Sequence, residues 1–473
     1  MIDSRNELYM AGRWSVPAGQ GKIDVVNPAT EELLGQIPDA TPADVDLAVK
    51  AAREAFAAWA NTPLGERIDL VRQIQAGLEA RLDEIATLIS REVGTPIKMA
   101  QRIQAGLPVA DIGSFIDAAA QLPLEETIGN STVCREPKGV VACITPWNYP
   151  LHQIVSKVAP ALLAGCTVVL KPSEVAPLNA FVLAEVIAAA GLPQGVFNLV
   201  TGYGATAGEA LAAHPEVDMI SFTGSTTAGK RVATLAAQDV KRVALELGGK
   251  SASIILDDAD LGKAVRGTVN SCFLNSGQTC NALTRLLVPA PRYDEISRLV
   301  LEATRTFTLG DPLDPETKLG PLVSDLQRER VRRLIRSGIE AGAELLAGGP
   351  DAPAGFATGY FVKPTVFGRV APSMPIAQTE IFGPVLCIIA YQSEAEAVAI
   401  ANGTMYGLAA AIWTHDPVRA GQLARRLRAG QVDINGGRFN LQAPFGGYKQ
   451  SGLGRELGRY GLEEFLELKA IQS

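Results

Sequence analysis

The sequence predicts an α/β fold built on two parallel sheets, and three observations carry that reading. From Val140 onward, short β-branched apolar runs alternate with helix-patterned segments, as in βαβ units whose strands are buried on both faces. A second series of the same kind begins after Gly249. Several polar or glycine-containing turns fall at the carboxyl ends of the runs, the edge where such sheets bind ligands. At 473 residues the chain is long for one core, so two domains with a small appendage are expected.

Residues 1–40 read as short strands joined by turns at Ala11-Gly12, Asn27-Pro28 and Pro38-Asp39. Thr41 as N-cap, Pro42 at the first helical position and Asp44 in the first turn start a helix that runs to about Trp59. A longer helix is expected over about 64–93, stopped by Gly94, and Thr95-Pro96 opens a third that Pro108 should kink or break. The first sheet takes strands at 140–145, 167–170, 196–200, 219–222 and 243–247, with helices at about 150–163, 179–190, 204–213 and 226–237 between them. The second series runs through a strand at 253–256, helix 260–274, strand 286–288 and helices 293–307 and 324–341. It continues with strand 409–413, helix 417–428 and strand 432–435. A boundary near Leu247–Gly249 puts Glu246 and Cys280 on either side of an interdomain cleft, where a two-substrate site belongs.

Composition is that of an ordinary globular chain. A net charge of −7 argues against nucleic acid or an anionic membrane as the main partner. The N-terminus has no apolar core of a secretory signal, and the longest apolar run, 158–170, is too short and interrupted to span a bilayer. Six scattered cysteines show no framework spacing, and a reducing cytoplasm fits them. With His152, His214 and His415 as the only histidines, no histidine-built metal site is expected.

Asn275-Ser-Gly-Gln-Thr-Cys280-Asn-Ala-Leu-Thr-Arg285 is a polar, glycine-containing turn around one thiol, set between apolar segments. Such a thiol is either a solvent-facing spectator or a nucleophile. Val243-Ala-Leu-Glu-Leu-Gly-Gly-Lys250 favours the second, because it places Glu246 inside an apolar strand, where burial should raise the carboxyl pKa toward neutrality. A thiol and such a carboxylate make a nucleophile and a general base. Phe222-Thr-Gly-Ser-Thr-Thr-Ala-Gly229 reads as strand, turn and helix start, either a phosphate site or a plain helix cap. Lys171-Pro-Ser-Glu174 closes another strand; Glu174 could chelate a ribose 2′,3′-diol and would repel a 2′-phosphate, favouring NAD over NADP, or the segment is a solvated turn. In Thr145-Pro-Trp-Asn-Tyr-Pro150, Asn148 is a rigid amide between rings, able to hold an oxyanion; losing one such donor costs ~3 kcal/mol of barrier. Glu380-Ile-Phe-Gly-Pro384 offers a carboxylate and a ring on a further turn.

Taken together, TPWN, KPSE, FTGS, ELGGK, GQTC, EIFGP and Pro444-Phe-Gly-Gly-Tyr-Lys-Gln-Ser-Gly452, in this order, resemble the aldehyde dehydrogenase superfamily over residues 7–473. The resemblance implies a Rossmann-like NAD-binding domain at 1–116 and 138–247, and an α/β catalytic domain at 248–449. A small β oligomerisation element at 117–137 and 450–473 would make a homodimer or homotetramer. It also implies that Cys280 attacks an aldehyde carbon, that Asn148 with the Cys280 backbone N–H holds the oxyanion, and that Glu246 activates water to release the acid from a thioester. An ordinary thiol has a pKa of about 8.5, so activation is needed, from Glu246, from Lys157 nearby or from the nicotinamide charge.

On the cofactor side the resemblance assigns Lys171 and Glu174 to the adenosine ribose, Gly202, Gly204 and Gly208 to the adenine-side turn, and Ser173 to the cofactor-binding set. Ser225 with the adjacent helix start goes to the pyrophosphate, and Phe222, Thr223, Gly224 and Val232 join the cofactor-binding set. Ile144, Thr145, Pro146 and Trp147, with Leu247, Glu380 and Phe382, complete the cofactor set. Retention of Glu246 points to the hydrolytic members; the alternative is a coenzyme A-acylating semialdehyde dehydrogenase. The substrate tunnel is assigned to Tyr149, Gln153 and Ser156, to Thr279 and Asn281, and to Arg438, Phe439 and Asn440, with His152 on the same helix. A small Ser156 leaves room for a medium-chain or aromatic aldehyde. Arg438 either pairs with the carboxylate of an ω-oxo acid or is a solvated loop arginine.

Overall fold

The computed structural model describes residues 4–473, so the first three residues of the expected N-terminal domain lie outside the described residues. Its main body is two sheets. The first has eight strands in the order Gly452–Leu453, Arg242–Glu246, Met219–Thr223, Val140–Ile144, Thr167–Lys171, Phe197–Leu199, Leu8–Met10 and Arg13–Ser15. The five strands from Arg242–Glu246 to Phe197–Leu199 are parallel, and those added at the ends are antiparallel. Every residue of the strands at 140–144, 167–171 and 219–223 is buried, as continuous apolar runs under helices on both faces require.

The second sheet has seven strands, ordered Glu344–Ala347, Thr365–Gly368, Val385–Tyr391, Arg285–Pro289, Ala252–Ile255, Ala409–Trp413 and Gln431–Ile434. All pairs but the first are parallel. A third, antiparallel sheet joins Leu466–Gln472, Ser131–Pro137 and Glu125–Ile128. Among the described residues no helix is long and apolar enough to cross a membrane.

Three expectations are corrected. The segment 64–93 is two helices, Leu64–Glu79 and Leu82–Val93, although no breaker separates them. The break lies at Ala80-Arg81, where Arg81 turns to pair with Glu185 on the helix Leu178–Ala189 as well as with Glu84. Pro108 does not break its helix: the six residues Ala100–Ala105 wind as a π-helix and Gly106–Gln121 continues as α-helix. The wider turn lifts the preceding carbonyls away from the proline ring. Gly452–Leu453, expected in the small β element, pairs instead with Leu245 and Glu246 at the edge of the first sheet. Two central strands of the second sheet, Thr365–Gly368 and Val385–Tyr391, carry no expectation from the sequence at all.

Candidate active site

Cys280 sits where two cavities meet. One, of about 140 Å³, is lined by Pro146, Trp147, Asn148, Thr223–Ser225, Glu246–Gly248, Glu380 and Phe382. The other, of about 280 Å³, is walled mostly by apolar side chains, among them Ile103, Leu107, Leu274, Phe439 and Phe445, with Tyr149, His152, Thr279 and Asn281. Cys280 and Gln153 line both. A nucleophile reachable from two sides can bond a substrate in one cavity while a second reactant lies in the other.

Local backbone chemistry puts the thiol there. Asn275, Ser276 and Gly277 take left-handed φ in succession, 50°, 56° and 74°, and two of them are not glycine. Each non-glycine left-handed residue costs of order 1 kcal/mol. Side chains hold them: Asn275 Nδ2 donates to the Asn148 carbonyl at 2.8 Å, and Ser276 Oγ donates to the Gly320 carbonyl at 2.8 Å. Gly277 itself is obligatory, since a Cβ there would lie 2.2 Å from the Gly383 carbonyl group. The ELGGK glycines have a similar reason: a Cβ on Gly248 would meet Glu380 Oε2 at 2.2 Å, and one on Gly249 the Cys280 carbonyl at 2.5 Å.

Cys280 is the only half-exposed cysteine among the described residues; the other five are buried. Burial pushes its thiol up to about 12, and the negative fields of Glu246, Glu380 and Glu456 push the same way against a hydrogen bond from the Asn281 backbone. Glu246 ends its strand beside Thr223 and Gly452 and is buried, with neither carboxyl oxygen hydrogen-bonded. Burial, then the neighbouring Glu456, raises its pKa well above the ordinary carboxylate range, against the pull of Lys157 and Arg455. An acid that is costly to ionise and has two free oxygens is suited to trade a proton with water.

Of the three sources of activation left open for Cys280, Lys157 does not act on the thiol in this structure. Lys157 Nζ is committed elsewhere, donating to Thr223 Oγ1 at 2.6 Å and pairing with Glu456 Oε1. Nor is Asn148 locked by rings. Trp147 packs edge-on against Phe382, with centroids 5.3 Å apart, and the Tyr149 hydroxyl bonds to Thr279 Oγ1 at 2.7 Å. Polar contacts fix the asparagine: its carbonyl accepts from Gln104 Nε2 and Asn275 Nδ2, both at 2.8 Å, and its Nδ2 donates to the Gln278 carbonyl at 3.0 Å. One N–H of the amide stays free.

Along the strand ends, Ser225 Oγ caps the helix Thr226–Ala236 by accepting from Ala228 N at 3.2 Å, leaving its first N–H groups at the cavity rim. Ile144, Phe222 and Val232 are core residues beneath this rim, together with Leu247. Thr145 is buried with a hydroxyl that has no partner. Lys171 Nζ pairs with Glu174 Oε2 at 3.3 Å and donates to the Pro172 carbonyl, while Ser173 Oγ accepts from Val175 N. Gly208, at the end of the π-turn Gly204–Gly208, faces the Lys171 stem, 3.6 Å from where a Cβ would stand. Glu380 Oε1 accepts from Gly249 N at 3.1 Å, and burial raises its pKa.

The substrate assignments divide. Tyr149, Gln153, Thr279, Asn281 and Phe439 line the larger cavity. Ser156 does not: it lies beneath the wall and donates to Asp111 Oδ2 or the His152 carbonyl, each at 2.9 Å. Arg438 and Asn440 do not line that cavity; they open on a shallow cleft with Asp117, Ser114 and Phe439, the last of which lines both, and of the two readings left open for Arg438 this favours the solvated loop arginine. Sequence reasoning missed Ile103, Leu107, Gln104, Gln327 and Arg330. All lie on helices far along the chain from the motifs, and only the packing of those helices brings them to the cavities.

A profile of the aldehyde dehydrogenase family matches residues 14–471. The chain is 51% identical over 471 residues to 3-succinoylsemialdehyde-pyridine dehydrogenase of a Pseudomonas species, covering 98% of each. It is similar to aldehyde dehydrogenase C of Pseudomonas syringae, whose cysteine-to-alanine mutant is solved with NAD+ and octanal. The identity is 47% and the TM-score 0.98, over 100% of this chain and 99% of that one. An aldehyde dehydrogenase of Mycobacterium tuberculosis solved with NAD+ is 43% identical, with TM-score 0.98 over 100% and 99%.

Proposed function

The chain belongs to the aldehyde dehydrogenase family, and we propose that it oxidises a neutral medium-chain or aromatic aldehyde to the carboxylic acid with NAD+. The observation that carries this reading is the position of Cys280 at the junction of two cavities, flanked by Glu246 and the Asn148 amide. The smaller cavity suits a dinucleotide end: a capped helix start for phosphate, Glu174 for a ribose diol and Glu380 beside Phe382 for the nicotinamide half. NAD+ supplies a hydride acceptor there.

Cys280 gives up its thiol proton to solvent and, as the thiolate, adds to the aldehyde carbon, and the free N–H of Asn148 with the Cys280 backbone N–H stabilises the oxyanion. The adduct's carbon would give up hydride to a nicotinamide held in the smaller cavity, leaving a thioester on Cys280. Glu246 takes a proton from water, the hydroxide adds to the thioester, and the acid leaves as the sulfur is released. A neutral tail is favoured because Arg438 lies in another cleft while Glu456 faces the aldehyde cavity. The relatives solved or named with octanal and with a pyridine semialdehyde support the same class.

In this reading the first sheet serves the cofactor, the second positions the thiol and the third pairs copies of the chain. A cytoplasmic setting belongs to the same proposal, because an oxidised Cys280 is no nucleophile.

The test is reduced-nicotinamide formation from octanal and benzaldehyde without coenzyme A. Cys280→Ala should abolish it. Glu246→Gln should retain a burst of about one equivalent per site, followed by turnover slowed about 10²–10⁴-fold. Turnover only when coenzyme A is present would replace hydrolysis with acyl transfer.

A further inference from the structure

Tyr149, Gln153 and Lys157, spaced by four at the start of the helix Pro150–Ala164, lie along one of its faces. The outer two are spoken for: the Tyr149 hydroxyl bonds to Thr279 Oγ1, and Lys157 Nζ donates to Thr223 and pairs with Glu456. The middle one is not. Gln153 is 6% exposed, and with Cys280 it is common to both cavities. Its Oε1 is shut away without a partner. Its Nε2 finds no protein acceptor among the described residues and stays open at the junction of the cavities.

Turned about, the amide would shut away two unpaired N–H donors in place of one carbonyl, which costs more. The end presented at the junction is therefore the donor. A carboxamide is neutral at every pH a protein meets, so this N–H does not depend on a titration. A methionine of similar length would line the same wall and leave no polar group unpaired. What the amide can gain there is a hydrogen bond to a molecule that enters. In the mechanism above the oxyanion is held by Asn148 and the Cys280 backbone N–H, which leaves the Gln153 N–H for a second acceptor on the same substrate. Because Gln153 borders the junction beside Cys280, that acceptor lies close to the reacting carbon.

We propose that Gln153 is a specificity residue whose N–H selects aldehydes with an ether or ketone oxygen at the second or third atom from the reacting carbon, over aldehydes whose chain is all carbon there. This rests on the functional reading above and adds to it a class of substrate. Near Cys280 the oxygen exchanges water for the amide N–H. Farther along, between Ile103, Leu107, Leu274 and Phe445, the same oxygen loses water and gains nothing.

The experiment takes octanal and three ethers of the same chain length. Pentyloxyacetaldehyde and 3-butoxypropanal carry the oxygen near the aldehyde, and 6-methoxyhexanal carries it near the far end. For each ether kcat/KM is read as a ratio to octanal in the wild type, Gln153→Met and Gln153→Leu, so the inductive effect of the oxygen cancels between proteins. The ratio for at least one near ether should fall about tenfold in both variants, and the 6-methoxyhexanal ratio should stay unchanged. Unchanged ratios for both near ethers, equal loss of all four substrates included, would overturn the proposal. So would a 6-methoxyhexanal ratio that falls as far, or a loss confined to kcat, which would put Gln153 on the hydrolytic water. Failure of the wild type on all four aldehydes would instead overturn the functional reading.

Discussion

Asp111 and His152 face each other across 3.7 Å and shift in opposite senses, so their contributions to stability against pH can be separated. Asp111 moves from 3.8 up to about 8 on folding, so between those values the folded chain holds a proton that the unfolded chain has released, and stability falls as pH rises. His152 moves from 6.5 down to about 4, so between those values the unfolded chain holds the extra proton and stability rises with pH. The two slopes cancel up to 6.5, and above it only the Asp111 fall remains, at most about 1.4 kcal/mol per pH unit. Asp111→Asn should therefore gain stability relative to wild type between pH 6.5 and 8, read as a growing difference in Tm. Other buried acids such as Glu246 and Glu380 are common to both proteins. A constant difference across that range would show that Asp111 is ionised in the folded chain. None of this was legible in the sequence. Asp111 sits in a helix with ordinary patterning, and only the packing of Gly106–Gln121 against Pro150–Ala164 buries it beside Ser156 and His152.

At the scale of elements, the π-helix at Ala100–Ala105 decides where Gln104 points. Its Nε2 donates to the Asn148 carbonyl at 2.8 Å and to Thr95 Oγ1 at 3.1 Å, and Thr95 Oγ1 donates to Asn275 Oδ1 at 2.7 Å. Three separate segments thereby fix one asparagine, whose free N–H, in the proposed mechanism, would have to meet a developing charge within a few tenths of an ångström. Gln104→Leu keeps the bulk and removes one of the two donors to that carbonyl. The expected result is a kcat about tenfold lower with KM for NAD+ unchanged, since no cofactor contact is touched. A rise in KM alone would place Gln104 in substrate binding.

The same region marks the limits of sequence reading. Thr41, Pro42 and Asp44 form the N-cap of Pro42–Ala60 as their residue types require, with a reciprocal capping box. The GQTC and ELGGK glycines likewise mark close backbone approaches. Local chemistry is written in local residues. The π-turn is not, because a proline at position 108 is compatible with a kink, a stop or a widened turn, and tertiary packing selects among them. The strand Val385–Tyr391, buried except at Ala390, carries no expectation either, because a short apolar run is as compatible with a buried helix segment as with a strand.

For the whole molecule, the cofactor reading spans both large sheets: Lys171 and Glu174 end one strand of the first, while Glu380 lies just before Val385–Tyr391 of the second and reaches back to Gly249. A ligand that touches both halves only when they are assembled binds the folded chain and not the unfolded one. At a hundred times its Kd it adds about 2.7 kcal/mol to stability. Thermal unfolding of Cys280→Ala, which cannot turn over, should shift upward with NAD+. The shift should be much smaller with NADP+ at the same concentration, because a 2′-phosphate would be brought against the Glu174 carboxylate. Glu174→Ser removes that repulsion and the diol acceptor together, so its NAD+ shift should shrink and its NADP+ shift grow. If the two cofactors protect wild-type and Glu174→Ser protein alike, Glu174 does not face the ribose, and the preference for NAD must come from another part of the strand edge.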